Sequence, residues 1–264
     1  MTTTNARDTG AGAEAPAPVG VSADPRVSAG LTGAASLTVP AGTTPGDPDR
    51  DSSGHELSDA PAHITVLESE LLVRGAVWDV RRDRFEFRGT ELVRDYIDHT
   101  GAVAVLALDD AGRVLLMRQY RHPIAHRDVE IPAGLMDAPG ESGLAGAQRE
   151  LAEEADLAAG QWDLLLDLFL SPGGSSETMR IFLARDLSPV AHDFVRDGEE
   201  AELHPEWVPL EDAVAAALTG RIGNAVTVSA VLAAHAARAQ DWATLRDPES
   251  PWVFREGVRG ERSR

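Results

Sequence analysis

The chain has 264 residues, a formal net charge of −19 and no cysteine. The charge argues against a broad nucleic-acid-binding face, because phosphate contacts need clustered basic residues, and the lack of cysteine excludes disulfides and thiolate sites. No apolar run reaches the roughly 18 residues of a membrane span, and residues 1–10 lack the apolar core of a signal peptide. We therefore expect a cytoplasmic protein that binds neither nucleic acid nor membrane.

Residues 1–60 differ in composition from the rest of the chain. They contain eight Gly, six Pro and no Trp, Tyr or Phe, and their apolar residues follow no helical or strand period. Such a segment buries too little apolar surface to offset about 1–2 kcal/mol per residue of backbone ordering. We expect it to be a disordered, acidic tail.

Alternating patterns begin near residue 64. The segments 77–87 and 91–99 alternate in part, as half-buried strands do, with Gly89 in the turn between them. Two apolar runs within residues 102–121 are joined by the turn sequence at 109–112, and this pattern predicts a β-hairpin.

The second half of the chain mixes short strands with amphipathic helices. Strands clustered around two or three helices predict an α+β fold, an α/β/α sandwich with a mixed sheet. In chain order the predicted elements are a strand at 128–134 ended by Pro132 and Gly134, a helix at 140–155, strands at 162–170, 179–187 and 206–210, and helices at 211–219 and 224–238.

The predicted helix at 140–155 carries the most informative side chains. Glu150 and Glu154 are four residues apart, so both carboxylates project from one face, and Glu153 borders that face. Carboxylates packed so closely repel one another, and a hard divalent cation removes the repulsion. Arg149 precedes Glu153 by four residues and is expected to hold its orientation. From spacing alone, a solvated acidic helix face remains the alternative.

The same segment resembles the Nudix signature, in which a Gly and a Glu precede an Arg-Glu-apolar-x-Glu-Glu element. Two positions depart from it: Gly134 lies seven residues before Glu141 instead of six, and Asp156 replaces the Gly that ends the helix. Asp tolerates the left-handed conformation wanted there at a cost below about 1 kcal/mol. The matching residues are Glu141, Arg149, Glu150, Leu151, Glu153, Glu154 and Leu157.

Flanking segments, over roughly residues 63–240, resemble the ADP-ribose pyrophosphatase branch of that family, in its actinobacterial type. The branch has a Glu-x-Pro-Ala-Gly entry to the signature, a Gln-x-Arg element, a Ser-Pro-Gly loop closed by Glu, and a later acidic pair. The matching positions are Glu130–Gly134, Gln119–Arg121, Ser171–Gly173 with Glu177, and Glu199 with Glu200.

The resemblance implies roles for individual residues. On the substrate side, Arg121 contacts phosphate, Glu130 and Glu177 are positioning acids, and Arg94 and Trp78 lie on the adenine side. On the catalytic side, Glu150, Glu154, the Ala133 carbonyl and Glu200 are the implied metal ligands, Glu153 is a ligand or base, Arg149 orients it, and Glu200, with Glu199 as second candidate, activates water.

The implied reaction is the Mg²⁺-dependent hydrolysis of ADP-ribose to AMP and ribose 5-phosphate, with Mn²⁺ as a possible substitute. The resemblance also implies a homodimer formed through residues 64–98. The expected organisation is the tail 1–60, an N-terminal β region at 61–98, a Nudix catalytic domain at 99–245 and a C-terminal tail at 246–264. Two alternatives stay open: another substrate, such as NADH, a nucleotide sugar or an oxidised nucleotide, or a non-catalytic sensor of ADP-ribose.

Overall fold

The computed structural model describes residues 57–191 and 203–260. Within these residues the chain forms ten β-strands and four α-helices. The predicted tail of residues 1–60 lies outside the described part except for its last four residues, which form no regular element. In the described part, no helix is long and apolar enough to cross a membrane.

A three-stranded antiparallel sheet, here called the N-terminal sheet, comes first. It consists of β1 (Val66–Val73), β2 (Asp79–Phe87) and β3 (Thr90–Asp98), paired in sequence order. Arg88 and Gly89 join β2 to β3 with φ angles of 51° and 77°, the left-handed conformation that a tight two-residue hairpin requires. The predicted strands and the turn at Gly89 are confirmed.

A four-stranded mixed sheet, here called the central sheet, forms the middle of the fold. Its strands are β4 (Ala102–Ala107), β7 (Ala133–Leu135), β8 (Leu157–Phe169) and β9 (Thr178–Pro189). Their order is β7-β4-β9-β8, in which β4 and β9 are parallel and the other two pairs are antiparallel. The prediction of a mixed sheet is confirmed.

A third, antiparallel sheet is formed by β5, β6 and β10. Here β5 (Arg113–Arg121) lies between β6 (His126–Glu130) and β10 (Glu206–Pro209). A 3₁₀ turn at His122–Ile124 connects β5 to β6. The Arg121–Glu130 end of this sheet faces the site described below.

The hairpin predicted within residues 102–121 is correct only at its turn. The backbone N–H of Gly112 donates to the carbonyl of Asp109 at 2.9 Å, but β4 and β5 then enter different sheets. Both edges of β4 are occupied, by β7 and by β9, so β5 cannot extend that sheet. Similarly, Gly134 does not end a strand as predicted but lies within β7, opposite Val103.

The helices begin and end where capping residues allow. Helix α1 (Gly143–Ala155) starts after Ser142, whose hydroxyl accepts a hydrogen bond from the backbone N–H of Ala145 at 3.1 Å. It ends at Asp156, which has the left-handed φ of 57° expected for a residue in place of Gly. Helices α2 (Leu210–Leu218) and α3 (Ala225–Arg238) match the two later predictions within one residue.

The central sheet lies between two helical layers. Alternate residues of β4 point to opposite faces: Val103 and Val105 pack in one cluster with Ala147 and Leu151 of α1. The other cluster is formed by the opposite face of the sheet with α2 and α3, and it includes Ala104, Leu106, Leu183, Leu210, Val214 and Val231. The predicted α/β/α sandwich is therefore confirmed.

The end of the described chain packs against the central sheet. Arg246 and Leu164 of β8 exchange backbone hydrogen bonds of 2.9 and 3.1 Å. The guanidinium of the buried Arg180 donates to the carbonyls of Ser250 and Pro251, and Trp252 is buried just before helix α4 (Val253–Gly260). The sequence did not indicate this helix.

Candidate active site

A cavity of about 800 Å³ opens between the end of the N-terminal sheet, β5, β7, α1 and the loop before β9. This volume is in the range of small-molecule sites, about 300–1,000 Å³. Most of the residues predicted for a site meet here. They are Trp78, Arg121, Ala133, Arg149, Glu150, Glu153, Glu154 and Glu177.

Helix α1 places two carboxylates on the floor of this cavity. Glu150 and Glu154 are one helical turn apart and both are buried, at 8% exposure each. The backbone N–H of Ala133 in β7 donates to Oε2 of Glu154 at 2.8 Å. A Cβ at Gly134 would lie 1.8 Å from Oε1 of Glu150, so glycine is required there for the close approach of that carboxylate.

Arg149 links three acidic side chains at the cavity wall. Its guanidinium donates to Glu141 at 3.0 and 3.2 Å, to Glu150 at 2.6 Å and to Glu153 at 3.1 Å. Donation of hydrogen bonds to the Glu141 carboxylate is the main reason why the pKa of Arg149 lies above its ordinary value. Arg149 therefore holds Glu153, as expected from the spacing, and also orients Glu150 from the adjacent position.

Acidic side chains dominate the charge of the cavity. The described lining contains five carboxylates, of Asp137, Glu150, Glu153, Glu154 and Glu177, against the guanidinium groups of Arg121 and Arg149. An anionic ligand needs additional positive charge in such a site, and hard oxygen donors of this kind suit Mg²⁺ or Mn²⁺.

The carboxylate oxygens are suitable ligands for such a cation, but their present arrangement does not form a complete coordination site. Among the residues that the structure describes, no three His, Asp or Glu side chains are grouped closely enough to hold a metal ion. Arg149 contacts both Glu150 and Glu153. A cation bound between Glu150 and Glu154 would therefore compete with Arg149 for the Glu150 carboxylate.

Arg121 is held at the rim of the cavity by a bidentate ion pair. Its Nε and Nη2 atoms donate to the two carboxylate oxygens of Glu130 at 2.7 and 2.6 Å. Glu130 is buried and lines a neighbouring cavity of about 310 Å³ rather than the main one. The fork geometry fixes the plane of the guanidinium, which suits it to recognise phosphate.

The opposite wall combines an acid with two aromatic rings. Oε1 of Glu177 lies 3.7 Å from Nε2 of the buried His99, and the rings of His99 and Trp78 have centroids 5.2 Å apart with a tilt of 33°. Burial raises the pKa of the Glu177 carboxyl above its ordinary value.

Besides Glu130, three of the predicted residues are not part of this described lining. Arg94 lies on β3, where its side chain is exposed and donates to the carbonyl of Val93. Glu199 and Glu200 lie outside the described residues. Their predicted contributions stay predictions.

The structure also adds residues that the sequence reasoning did not assign to the site. Gln119 lines the cavity from β5; it belongs to the noted Gln-x-Arg element, which was the available signal. Glu141 holds Arg149, and its match to the signature was the signal there. His99 directly follows a strand, and no sequence pattern distinguishes it from a histidine in the core. Its place in the site could be recognised only from the fold.

The comparisons with known proteins agree with this geometry. Residues 98–230 match the model of the NUDIX domain, half of the chain, and they include β4 to β10 with helix α1. The chain therefore belongs to the Nudix family.

Individual relatives narrow the class further. The chain is 38% identical to the ADP-ribose pyrophosphatase of Mycobacterium tuberculosis over 72% of this chain and 91% of that protein. It is 33% identical to the ADP-ribose pyrophosphatase of Bacillus subtilis over 63% of this chain and 89% of that protein. A crystal structure of an ADP compounds hydrolase matches with a TM-score of 0.58 at 26% identity, covering 69% of this chain and 98% of that one. The chain is a Nudix hydrolase.

Proposed function

We propose that the protein hydrolyses ADP-ribose to AMP and ribose 5-phosphate. Water adds across the pyrophosphate: its oxygen bonds to one phosphorus, the bridging P–O bond breaks, and a proton is released. One observation carries the proposal: a single cavity joins the buried pair Glu150 and Glu154 to the oriented Arg121 and to Glu177. The two relatives described above are ADP-ribose pyrophosphatases, which supports the choice of substrate.

Hydrolases of this family depend on a divalent cation, and we propose Mg²⁺ for this one. Glu150 and Glu154 would hold it, with the Ala133 carbonyl as a backbone ligand and Glu200 as a further candidate outside the described residues. When bound, the cation neutralises charge on the pyrophosphate and acidifies a water molecule. Arg149 would then hold Glu153, which it already contacts at 3.1 Å.

The remaining residues bind and orient the substrate in this proposal. Arg121, fixed by Glu130, contacts a phosphate oxygen. Glu177 accepts hydrogen bonds from the hydroxyls of the terminal ribose, and Trp78 packs against the adenine. The proton released from water requires a base, for which Glu153, Glu200 and Glu199 are the candidates.

We also propose a homodimer formed through the N-terminal sheet. Phe85 and Phe87 lie two residues apart on β2 and therefore share a face, to which Tyr96 of β3 also belongs by its pairing with Arg81. Phe87 is 43% exposed while Phe85 and Tyr96 are half-buried, so this aromatic face is only partly covered in the single chain. Arg94 pairs with Asp83 on the same face, from which it would reach the adenine side of a partner's cavity.

The experiment is a hydrolysis assay on a panel of nucleoside diphosphate derivatives. Purified protein with Mg²⁺ is incubated with ADP-ribose, NADH, a nucleotide sugar and an oxidised nucleotide, and products are separated by chromatography. We expect AMP and ribose 5-phosphate from ADP-ribose, and no products when a chelator removes the cation. Turnover of another compound alone would change the substrate, and binding of ADP-ribose without products would favour a sensor.

A further inference from the structure

His99 lies where the two sides of the cavity meet. It directly follows β3 and is only 6% exposed, although it lines the cavity. Its ring faces two other lining residues, Glu177 at 3.7 Å from Nε2 and Trp78 at 5.2 Å between ring centroids.

The hydrogen bonds of His99 assign its tautomer. The backbone N–H of Gly101 donates to Nδ1 at 3.0 Å, so Nδ1 acts as an acceptor and the ring proton of the neutral form resides on Nε2. Nε2 lies 3.7 Å from Oε1 of Glu177, slightly beyond the usual hydrogen-bond distance. The proton is thus on the ring nitrogen that lies nearer to the Glu177 carboxylate.

The backbone around His99 is joined to the loop that carries Glu177. The N–H of His99 donates to Oγ of Ser176 at 2.9 Å, and this hydroxyl donates to the carbonyl of Ile97 at 3.2 Å. The N–H of Ile97 donates to the carbonyl of Gly174 at 2.9 Å. Both the position of the loop and the direction of the His99 ring are therefore fixed before a ligand binds.

We propose that His99 is a positioning residue that sets specificity for the terminal ribose by holding the Glu177 carboxylate through its Nε2–H. The inference rests on the proposed function, in which Glu177 accepts hydrogen bonds from ribose hydroxyls. A carboxylate fixed by a neighbouring donor presents its remaining lone pairs in one direction, whereas an unfixed one loses rotamer freedom on binding.

The test compares His99→Gln with His99→Phe, because the amide of Gln keeps an N–H donor while Phe keeps only the ring. His235→Gln, on the exposed face of α3, is the matched control. We expect His99→Phe to raise KM for ADP-ribose about tenfold, the size of one hydrogen bond, with kcat within about threefold. His99→Gln should restore most of the loss, and binding of ADP, which lacks the terminal ribose, should change in neither variant.

A double-mutant cycle with Glu177→Gln separates positioning from a structural role. If His99 acts through Glu177, His99→Phe adds no further rise in KM once Glu177 is replaced. Additive effects, equal losses for ADP and ADP-ribose, or a wild-type KM in His99→Phe would each overturn the inference. If the wild type prefers another compound, the proposed function fails, and the same cycle on that compound still tests whether His99 and Glu177 are coupled.

Discussion

The N-terminal sheet and the central sheet are both built from strands with apolar residues, but only the central sheet is covered. Every residue of β4 is buried, since helical layers pack on both faces. In β1, by contrast, Val66 and Val73 are 47% and 56% exposed. The difference shows that apolar strand residues alone do not determine burial; the layers available to cover them do.

The two sheets are also held together differently. The face of β2 and β3 opposite to the aromatic residues carries ion pairs, among them Arg82 with Asp95 at 2.6 Å and Arg84 with Glu91 at 3.1 Å. Exposed pairs of this kind contribute only about 0–1 kcal/mol each. We therefore expect substitutions at the site beside the central sheet to change the catalytic rate and leave the oligomeric state unchanged. Substitutions on the N-terminal sheet should change the oligomeric state before they change the rate.

The largest effect is expected at the metal-facing carboxylates. Glu150→Gln or Glu154→Gln should lower kcat at least about a hundredfold, because a neutral amide coordinates Mg²⁺ far less well than a carboxylate. Steady-state kinetics at saturating ADP-ribose measures this, and light scattering should show an unchanged mass. Glu211→Gln, on the surface of α2, is the control and should keep wild-type turnover; wild-type rates in both site variants would contradict the assignment.

The second effect tests the close approach of β7 and α1. In Gly134→Ala the new Cβ would meet the Glu150 carboxylate, which is the mobile end of its side chain and is therefore displaced while the fold persists. We expect the affinity for Mg²⁺ to fall about 10- to 100-fold, measured by the metal dependence of the rate. Gly223→Ala has no atom within 4 Å of its added Cβ and should behave as wild type. Equal metal affinity in the two variants would show that Glu150 need not lie against β7.

The third effect tests the uncovered sheet. Phe87→Asp places a charge on the aromatic face and should shift the proposed dimer toward monomer at micromolar concentration, as measured by light scattering. Val93→Asp is the matched control, since Val93 is equally exposed, at 48%, but pairs with Arg84 on the opposite face. If Val93→Asp dissociates the protein and Phe87→Asp does not, the interface lies on the opposite face of the sheet and the proposed face is wrong.

The smallest effect is a pH-dependent change in stability. Because burial raises the pKa of Glu177, the folded protein binds this proton more tightly than the unfolded chain does, and stability falls as pH rises through that window. Glu177→Gln should therefore have a Tm about 1–3 °C above wild type at pH 8 and no advantage at pH 4. For Glu211 the pKa is lowered, chiefly by a backbone hydrogen bond, so Glu211→Gln should lose stability at pH 8. A lower Tm for Glu177→Gln at pH 8 would show that neighbouring groups stabilise the Glu177 charge by more than burial destabilises it.

Much of the fold and the centre of the site could be predicted from sequence because their determinants are local. Helix α1 was predicted from a local pattern in which Glu150 and Glu154 lie one turn apart, and the left-handed end at Asp156 follows from the residue type. Local patterns do not specify partners. The turn at 109–112 was predicted, but the separation of β4 from β5 depends on which strands occupy the edges of β4.

Residues that act through distant contacts were also not predictable. His99 meets Glu177 across 78 positions of sequence, and Trp252 is buried in the α1 layer although the segment around it has no clear period. Such pairs are brought together only by the packing of several elements, so no local signal marks them.

The most direct test of the proposed function is a competition in a single tube. ADP-ribose, NADH, a nucleotide sugar and a nucleoside triphosphate at equal concentration are incubated with the protein and Mg²⁺, and their relative rates of disappearance give the ratios of kcat/KM. A site that hydrogen-bonds an unsubstituted terminal ribose discriminates by about tenfold or more against a nucleotide sugar and a triphosphate, which lack this ribose, and against NADH, whose second ribose carries nicotinamide. We predict that ADP-ribose is consumed first by at least that margin. Consumption of any other compound tenfold faster than ADP-ribose would contradict the proposed substrate while leaving the Nudix family assignment in place.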